Sequence, residues 1–215
     1  MSKAILFYGD SITDCGRGRE KPYNNTGYGY PTMVMGELGA KEPYQYIFHN
    51  RGISGNRVVD LFARIKVDAI NLKPDYMSIL IGVNDAWHEY TSQNGVSAEK
   101  YELVYDLMLS ELEEACPGIK FMILEPFVLP GSATENTEEH PHRWEFFRSE
   151  VELRAQAAKR VAEKYHLPFI PLQEMFDKAN ADAPEQGYWL RDGVHPSHAG
   201  HELIKEKWLE AFKNI

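Results

Sequence analysis

The sequence predicts an α/β protein built on a doubly wound, parallel sheet. Two observations carry that expectation. Five apolar runs of strand length recur along the chain, and they are mostly continuous rather than alternating, as strands covered on both faces are. Stretches of helical period lie between them, and strand–helix–strand order implies right-handed crossover units.

Taken in order, "AILFY" (4–8) is the first expected strand, followed by a Gly- and Tyr-rich loop over 16–31. "YIFHN" (46–50) is the second strand. The stretch 56–72 follows, with Val59, Phe62, Ile65 or Lys66, and Ala69 or Ile70 on one helical stripe. "YMSILIG" (76–82) is the third strand. A helix is expected over 97–117, with Tyr101, Val104, Tyr105, Met108 and Leu112 at three- and four-residue steps. Ser97 is placed to cap it, and Pro117 with Gly118 to stop it. "KFMILEP" (120–126) is the fourth strand, and a polar, proline-bounded loop over 130–143 separates it from a long helical pattern over 143–166. "LPFIPL" (167–172) is the fifth strand, and a helix over 197–215 closes the chain with Leu203, Ile204, Trp208 and Phe212 inward. No repeat, low-complexity tract or break in composition divides the 215 residues, so one domain over 1–215 is expected.

Composition excludes several classes of function. Hydrophobic residues make up 43%, enough for a buried core. The net charge of −9 argues against nucleic acid, which needs a basic face, and against anionic lipid. No apolar run is long enough to span a membrane or serve as a secretory leader. Cys15 and Cys116 make no disulfide framework, so a reduced, cytoplasmic protein is expected.

Ligands of an open α/β sheet bind beyond the carboxyl ends of its strands. The first strand leads into Gly9-Asp10-Ser11-Ile12-Thr13, the second into Asn50-Arg51-Gly52-Ile53-Ser54-Gly55, and the third into Gly82-Val83-Asn84-Asp85. Asp192-Gly193-Val194-His195-Pro196 precedes the last helix. A serine at a strand-to-helix turn exposes its hydroxyl, which needs a base to become nucleophilic. His195 suits that role, and Asp192, three residues before it, can hold the imidazole Nδ1–H and fix the tautomer. Attack on an ester carbonyl creates an oxyanion, for which the N–H of Ser11, the N–H of Gly52 and the amide of Asn84 are candidate donors.

These blocks ("GDSIT", "NRGISGN", "GVND" and "DGVHP") resemble, in order, those of the SGNH hydrolases, also called the GDSL esterase/lipase family. The resemblance spans nearly the whole chain. It implies a three-layer α/β/α, flavodoxin-like fold with a five-stranded parallel sheet. It also implies ester hydrolysis through an acyl-enzyme, with no cofactor and no metal. Within the family, "GDSITDCGR", "NRGISGNRVVDL", "KPDYMSILIGVNDAWHEY" and "RDGVHPSHAGH" look most like intracellular bacterial acetylxylan esterases. The implied substrate is a small acyl ester, an acetylated xylo-oligosaccharide, and the implied assembly is a homo-oligomer. Trp87 and Trp189 are expected to cap the acyl site or stack on a sugar ring, and Tyr23, Tyr28 and Tyr30 to add a platform.

Other readings of the same residues stay open. Same-family chemistry includes thioester, lysophospholipid and aryl ester hydrolysis, and a non-catalytic sugar-binding module is the reading of a different class. Cys15 is a rival nucleophile, though its context gives no reason for a lowered pKa. His195, His198 and His201 are a rival metal set, but i, i+3, i+6 drifts around a helix and Pro196 separates the first from it. Asp10 and Asp85 read as structural caps or supports.

Overall fold

The computed structural model describes residues 2–20 and 25–215; Tyr23 lies outside them. Its elements run β1 (Lys3–Gly9), α1 (Ser11–Asp14), α2 (Tyr30–Lys41), β2 (Tyr46–Gly52), α3 (Val58–Ala63), α4 (Ile65–Asp68), β3 (Tyr76–Leu80), α5 (Val83–Ser92), α6 (Ala98–Ala115), β4 (Lys120–Leu124), α7 (Arg143–Lys164), β5 (Phe169–Ile170), α8 (Gln173–Ala181) and α9 (His198–Phe212). The strands form the expected five-stranded parallel sheet in the order β2-β1-β3-β4-β5.

That order turns back at β1: the chain adds β2 on one side and then β3 on the other. Such a reversal opens a crevice at the carboxyl ends of the two neighbours, where ligands of this architecture sit. The register makes the ends level. Gly9 pairs with Gly52 on β2 and with Leu80 on β3, so the segments after these three strands start side by side.

Side chains of β1 alternate between two cores, because successive Cβ atoms point to opposite faces. Ile5 and Phe7 join one core with Tyr30, Val34, Ile204 and Trp208, beneath α2 and α9. Leu6 and Tyr8 join the other with Leu61, Tyr101, Met108 and Val161, beneath α3, α6 and α7. Trp208 is fully buried between Phe7 (5.4 Å) and Phe212 (4.8 Å), and losing a ring of this kind costs about 3–5 kcal/mol.

Three helices go beyond the sequence expectation. α2 begins at Tyr30, within the stretch read as loop, with Pro31 in its first turn. α5 grows directly out of the Gly82-Val83-Asn84-Asp85 block, and α8 follows β5. The single helical stripe read over 56–72 is broken at Arg64 and Ala69 into α3, α4 and a short 3₁₀ turn. The break at Arg64 has a use. Its guanidinium reaches the carbonyls of Arg51 (2.9 Å) and Gly9 (3.2 Å), satisfying acceptors at the ends of β2 and β1. No helix among the described residues is long and apolar enough to cross a membrane.

Candidate active site

The site begins at the end of β1. A Cβ on Gly9 would lie 2.4 Å from the Leu80 carbonyl oxygen and 2.5 Å from Thr13 Oγ1, so only glycine lets α1 start this close to β3. Asp10 caps α1 by accepting the Ile12 N–H at 3.0 Å. Ser11 is therefore the first residue of the helix, and its own N–H has no acceptor among the described residues.

The loop before α9 is folded on one carboxylate. Asp192 Oδ1 accepts the N–H of Val194 (3.0 Å) and of His195 (2.8 Å), and Oδ2 lies 2.7 Å from His195 Nδ1. Gly193 allows this at φ +98°, with Thr134 Oγ1 2.2 Å from where its Cβ would stand. The loop over 130–143 supports it from behind, where the Ala133 N–H donates to the Asp192 carbonyl at 3.0 Å. An antiparallel bridge between Leu190 and Pro196 closes the loop's neck.

His195 Nε2 stands 2.9 Å from Ser11 Oγ. Asp192, His195 and Ser11 thus form one unbroken hydrogen-bonded chain. Burial pushes the Asp192 carboxyl up, but the His195 ring and the two backbone N–H donors outweigh it and hold the group well below the usual carboxylate range. The same contact with Asp192 raises the His195 pKa, against burial. An ionised Asp192 accepts the hydrogen bond from Nδ1–H and so keeps the proton on that nitrogen, leaving neutral His195 to present a lone pair from Nε2 to the serine hydroxyl.

Asn84 enters from the first turn of α5, and its Nδ2 donates one hydrogen to the Asn56 carbonyl at 3.1 Å. That bond fixes the amide, whose other N–H makes no hydrogen bond of ordinary geometry with a described residue and lies toward Asp10.

Gly52 departs from the sequence expectation. Its N–H donates to Asn50 Oδ1 at 2.9 Å, and its carbonyl accepts Arg17 Nε at 2.6 Å. A Cβ there would lie 2.1 Å from the Asp14 backbone nitrogen. Gly52 is therefore the place where β2 passes close to α1, and its N–H is unavailable to a ligand. Three residues on, Gly55 has φ +80°, open space around its Cα, and an N–H with no acceptor among the described residues. Ser54 before it lines the same cavity as Ser11, and Asn56 after it holds Asn84. Gly55, whose N–H is not engaged, is thus the candidate third donor in place of Gly52, whose N–H is spent on Asn50.

A cavity of about 240 Å³ opens on Ser11 and His195, walled by Cys15, Tyr28, Ser54 and Arg191. Of the aromatic residues singled out in the sequence that lie among the described residues, only Tyr28 reaches it; it is 51% exposed, with its ring 6.0 Å from that of His198. Tyr30 is fully buried, with its hydroxyl 3.1 Å from Thr13 Oγ1 and its ring edge-on to Phe7, so it packs the core and touches no substrate. Trp189 is tied back to α8 by Nε1 donating to the Ala179 carbonyl at 2.9 Å and does not line the cavity. Trp87 stacks on Phe147 at 5.0 Å and lines a different opening of about 300 Å³ with Tyr90, His140 and Arg143.

Cys15 also faces the cavity, with Sγ 3.2 Å from His201 Nε2. His201 accepts the Tyr30 N–H at Nδ1 (3.2 Å), so its proton sits on Nε2 and it donates to the sulfur instead of taking a proton from it. Burial raises the thiol and drives His201 down to about 4. Cys15 therefore has no base. His195, His198 and His201 serve separate partners, and no group of three or more His, Cys, Asp or Glu among the described residues is placed to hold a metal ion. Asp85 accepts the Val58 N–H at 3.1 Å and supports α3 from within. Asp10 is more than a cap. Its second oxygen, Oδ2, is buried without a partner, beside the Asn84 amide and within the field of His195.

Residues 7–203 match the GDSL-like Lipase/Acylhydrolase family. An acetylxylan esterase of Geobacillus stearothermophilus is 35% identical over 214 residues, covering 95% of this chain and 91% of that one. The crystal structure of a GDSL-like lipase of Parabacteroides merdae superposes with a TM-score of 0.85 at 35% identity, over 98% of this chain and 95% of that one. The acetylxylan esterase Axe2 of Geobacillus stearothermophilus superposes with a TM-score of 0.83 at 32% identity, over 97% and 93%. Forms of Axe2 with a serine or an aspartate changed to alanine are described as catalytic mutants. The chain belongs to the GDSL-like lipase/acylhydrolase (SGNH) family and is a carboxylic ester hydrolase.

Proposed function

We propose that this single-domain protein removes acetyl groups from xylo-oligosaccharides through a Ser11–His195–Asp192 triad. The observation that carries the reading is the hydrogen-bonded chain itself, 2.9 Å from Ser11 Oγ to His195 Nε2 and 2.7 Å from His195 Nδ1 to Asp192 Oδ2. His195 accepts the Ser11 proton as the hydroxyl oxygen attacks the acetyl carbonyl. The resulting oxyanion is met by the N–H groups of Ser11 and Gly55 and the other N–H of Asn84. His195 then gives its proton to the departing sugar oxygen, leaving acetyl-Ser11. Water, deprotonated by the same ring, attacks the acyl-enzyme and releases acetate. Asp192 stays ionised throughout, holding the ring and stabilising the imidazolium.

The acetylxylan esterases among the relatives support acetylated xylan fragments as substrate. A small cavity walled by Ser54, Tyr28, Arg191 and His195 supports a short acyl group over a long apolar one. The decisive experiment is acetate release from acetylated xylo-oligosaccharides by wild type and by Ser11→Ala, alongside a p-nitrophenyl ester series of increasing acyl length. The reading expects wild-type release, loss on the order of 10³-fold or more in Ser11→Ala, and a maximum at acetyl. Near-normal turnover by Ser11→Ala, or a maximum at eight or more carbons, would reject it.

A further inference from the structure

Arg191 stands immediately before the Asp192–His195 loop and lines the cavity that opens on Ser11. Its backbone is fixed, since its N–H donates to the His195 carbonyl at 2.8 Å and Leu190 and Pro196 bridge beside it. Its guanidinium has no hydrogen bond, ion pair or ring contact with any described residue. Every other arginine of the chain is engaged: Arg17 with the Gly52 carbonyl, Arg19 with Asp14, Arg51 and Arg64 with Asp68, Arg143 with the Glu135 carbonyl, and the rest with carboxylates. The acid nearest in sequence, Asp192, spends both oxygens on His195 and Val194. Among the described residues the cavity therefore carries one uncompensated cation, close enough to bear on Cys15, His195 and His201.

Its position in the reaction follows from its neighbour. The carbonyl oxygen of a bound ester points to Ser11, Gly55 and Asn84, while His195 delivers its proton to the departing alcohol. Arg191 adjoins His195, so a group that reaches it belongs to the alcohol half. A single planar guanidinium matches a carboxylate with two parallel hydrogen bonds. A polyphosphate is a poorer match, because neighbouring Arg17 and Arg19 are already committed and the chain as a whole is negative by nine charges.

We propose that Arg191 is a carboxylate-binding subsite for the alcohol half of the ester, and that the enzyme favours acetyl esters of acidic sugars, an acetylated oligosaccharide bearing a uronic acid. This rests on the reading of Ser11 as the esterase nucleophile and narrows its substrate. The contact is one charge-assisted pair in a partly open cavity, which supports about a tenfold preference.

The test uses two aryl acetates of similar shape, 4-acetoxybenzoate and its neutral counterpart 4-acetoxybenzamide, each corrected for spontaneous hydrolysis. The kcat/KM ratio within one enzyme cancels any general loss of turnover. Wild type should favour the anion about tenfold, the ratio should fall towards one in Arg191→Gln, and added salt should lower the wild-type ratio. A wild-type ratio at or below one, or a ratio unchanged in Arg191→Gln, overturns the subsite. Hydrolysis of neither probe would instead overturn the esterase reading of Ser11. A second pair, acetylated xylo-oligosaccharides with and without a uronic acid branch, tests the sugar. Faster release from the acidic one is expected, and equal release overturns the acidic-sugar assignment even where the aryl pair responds.

Discussion

Asp10→Asn should make the protein more stable at alkaline pH and less active. Asp10 is fully buried, one oxygen holding the Ile12 N–H and the other without a partner. Burial raises its pKa from 3.8 to about 7, partly offset by the Ile12 N–H and by His195. Because the folded-state value lies above the unfolded one, the protonated carboxyl contributes stability below pH ~4 that is lost as the pH rises through about 7. A shift of about three units corresponds to about 4 kcal/mol over that whole interval, of which about 3 kcal/mol lies between pH ~5 and pH ~8.5. Asparagine keeps the capping oxygen and cannot ionise. The stability difference between Asp10→Asn and wild type should therefore widen by about 3 kcal/mol from pH ~5 to pH ~8.5, on the order of 5–10 °C in Tm for a chain of this size. Urea unfolding of both proteins at the two pH values measures it. Activity should move the other way, since the Asp10 charge helps raise the His195 pKa and so supports the imidazolium formed during attack. A stability difference that is the same at both pH values would refute the reasoning, because it would mean that Asp10 does not titrate between them.

Three further outcomes follow from the site. Gly52→Ala puts a Cβ 2.1 Å from the Asp14 backbone nitrogen and should yield little folded protein, whereas Gly55→Ala has room, carries a strain of about 1–2 kcal/mol at φ +80°, and should fold with reduced kcat; circular dichroism and turnover separate the two, and a well-folded Gly52→Ala would contradict the assignment. Asn84→Ala should lower kcat on the order of 10²–10³-fold with little change in KM, and a loss confined to KM would remove Asn84 from the oxyanion site. The ring of His195 must be neutral to accept a proton, and Asp192 raises its pKa, so kcat/KM should rise with pH to half its maximum above the ordinary histidine value of about 6.5; Asp192→Asn should shift that point down, and an unmoved midpoint would separate the limb from His195.

What the sequence made legible, and what it hid, divides along a physical line. Asp192 and His195 were readable because three residues of separation confine them to one loop, and Ser11 because a glycine after an apolar run marks a strand-to-helix turn. Strand identity was likewise local: continuous apolar runs register burial on two faces. The break in 56–72 was not, since a stripe at three- and four-residue steps survives a kink, and the carbonyls that Arg64 reaches from the kink lie at the ends of two strands distant in sequence or separated by a turn. Aromatic residues failed for a related reason. Tyr30 and Tyr28 lie two positions apart in one stretch, yet one is core and the other wall, because α2 begins between them.

The two glycines sharpen the point. Gly52 and Gly55 are equivalent as letters in "RGISG", and either offers an unhindered N–H. Their roles separate only when the donor is followed to its acceptor. At Gly52 the missing side chain admits the backbone of α1, and the N–H is spent on Asn50, whose amide in turn bonds the carbonyls of Thr13 (2.7 Å) and Thr26 (2.9 Å). At Gly55 the missing side chain permits a left-handed backbone, and the N–H is left over. The first glycine builds the position of Ser11, and the second supplies the N–H proposed above to meet the oxyanion. A turn that must do both needs two glycines a few residues apart, each excluding a side chain for a different reason.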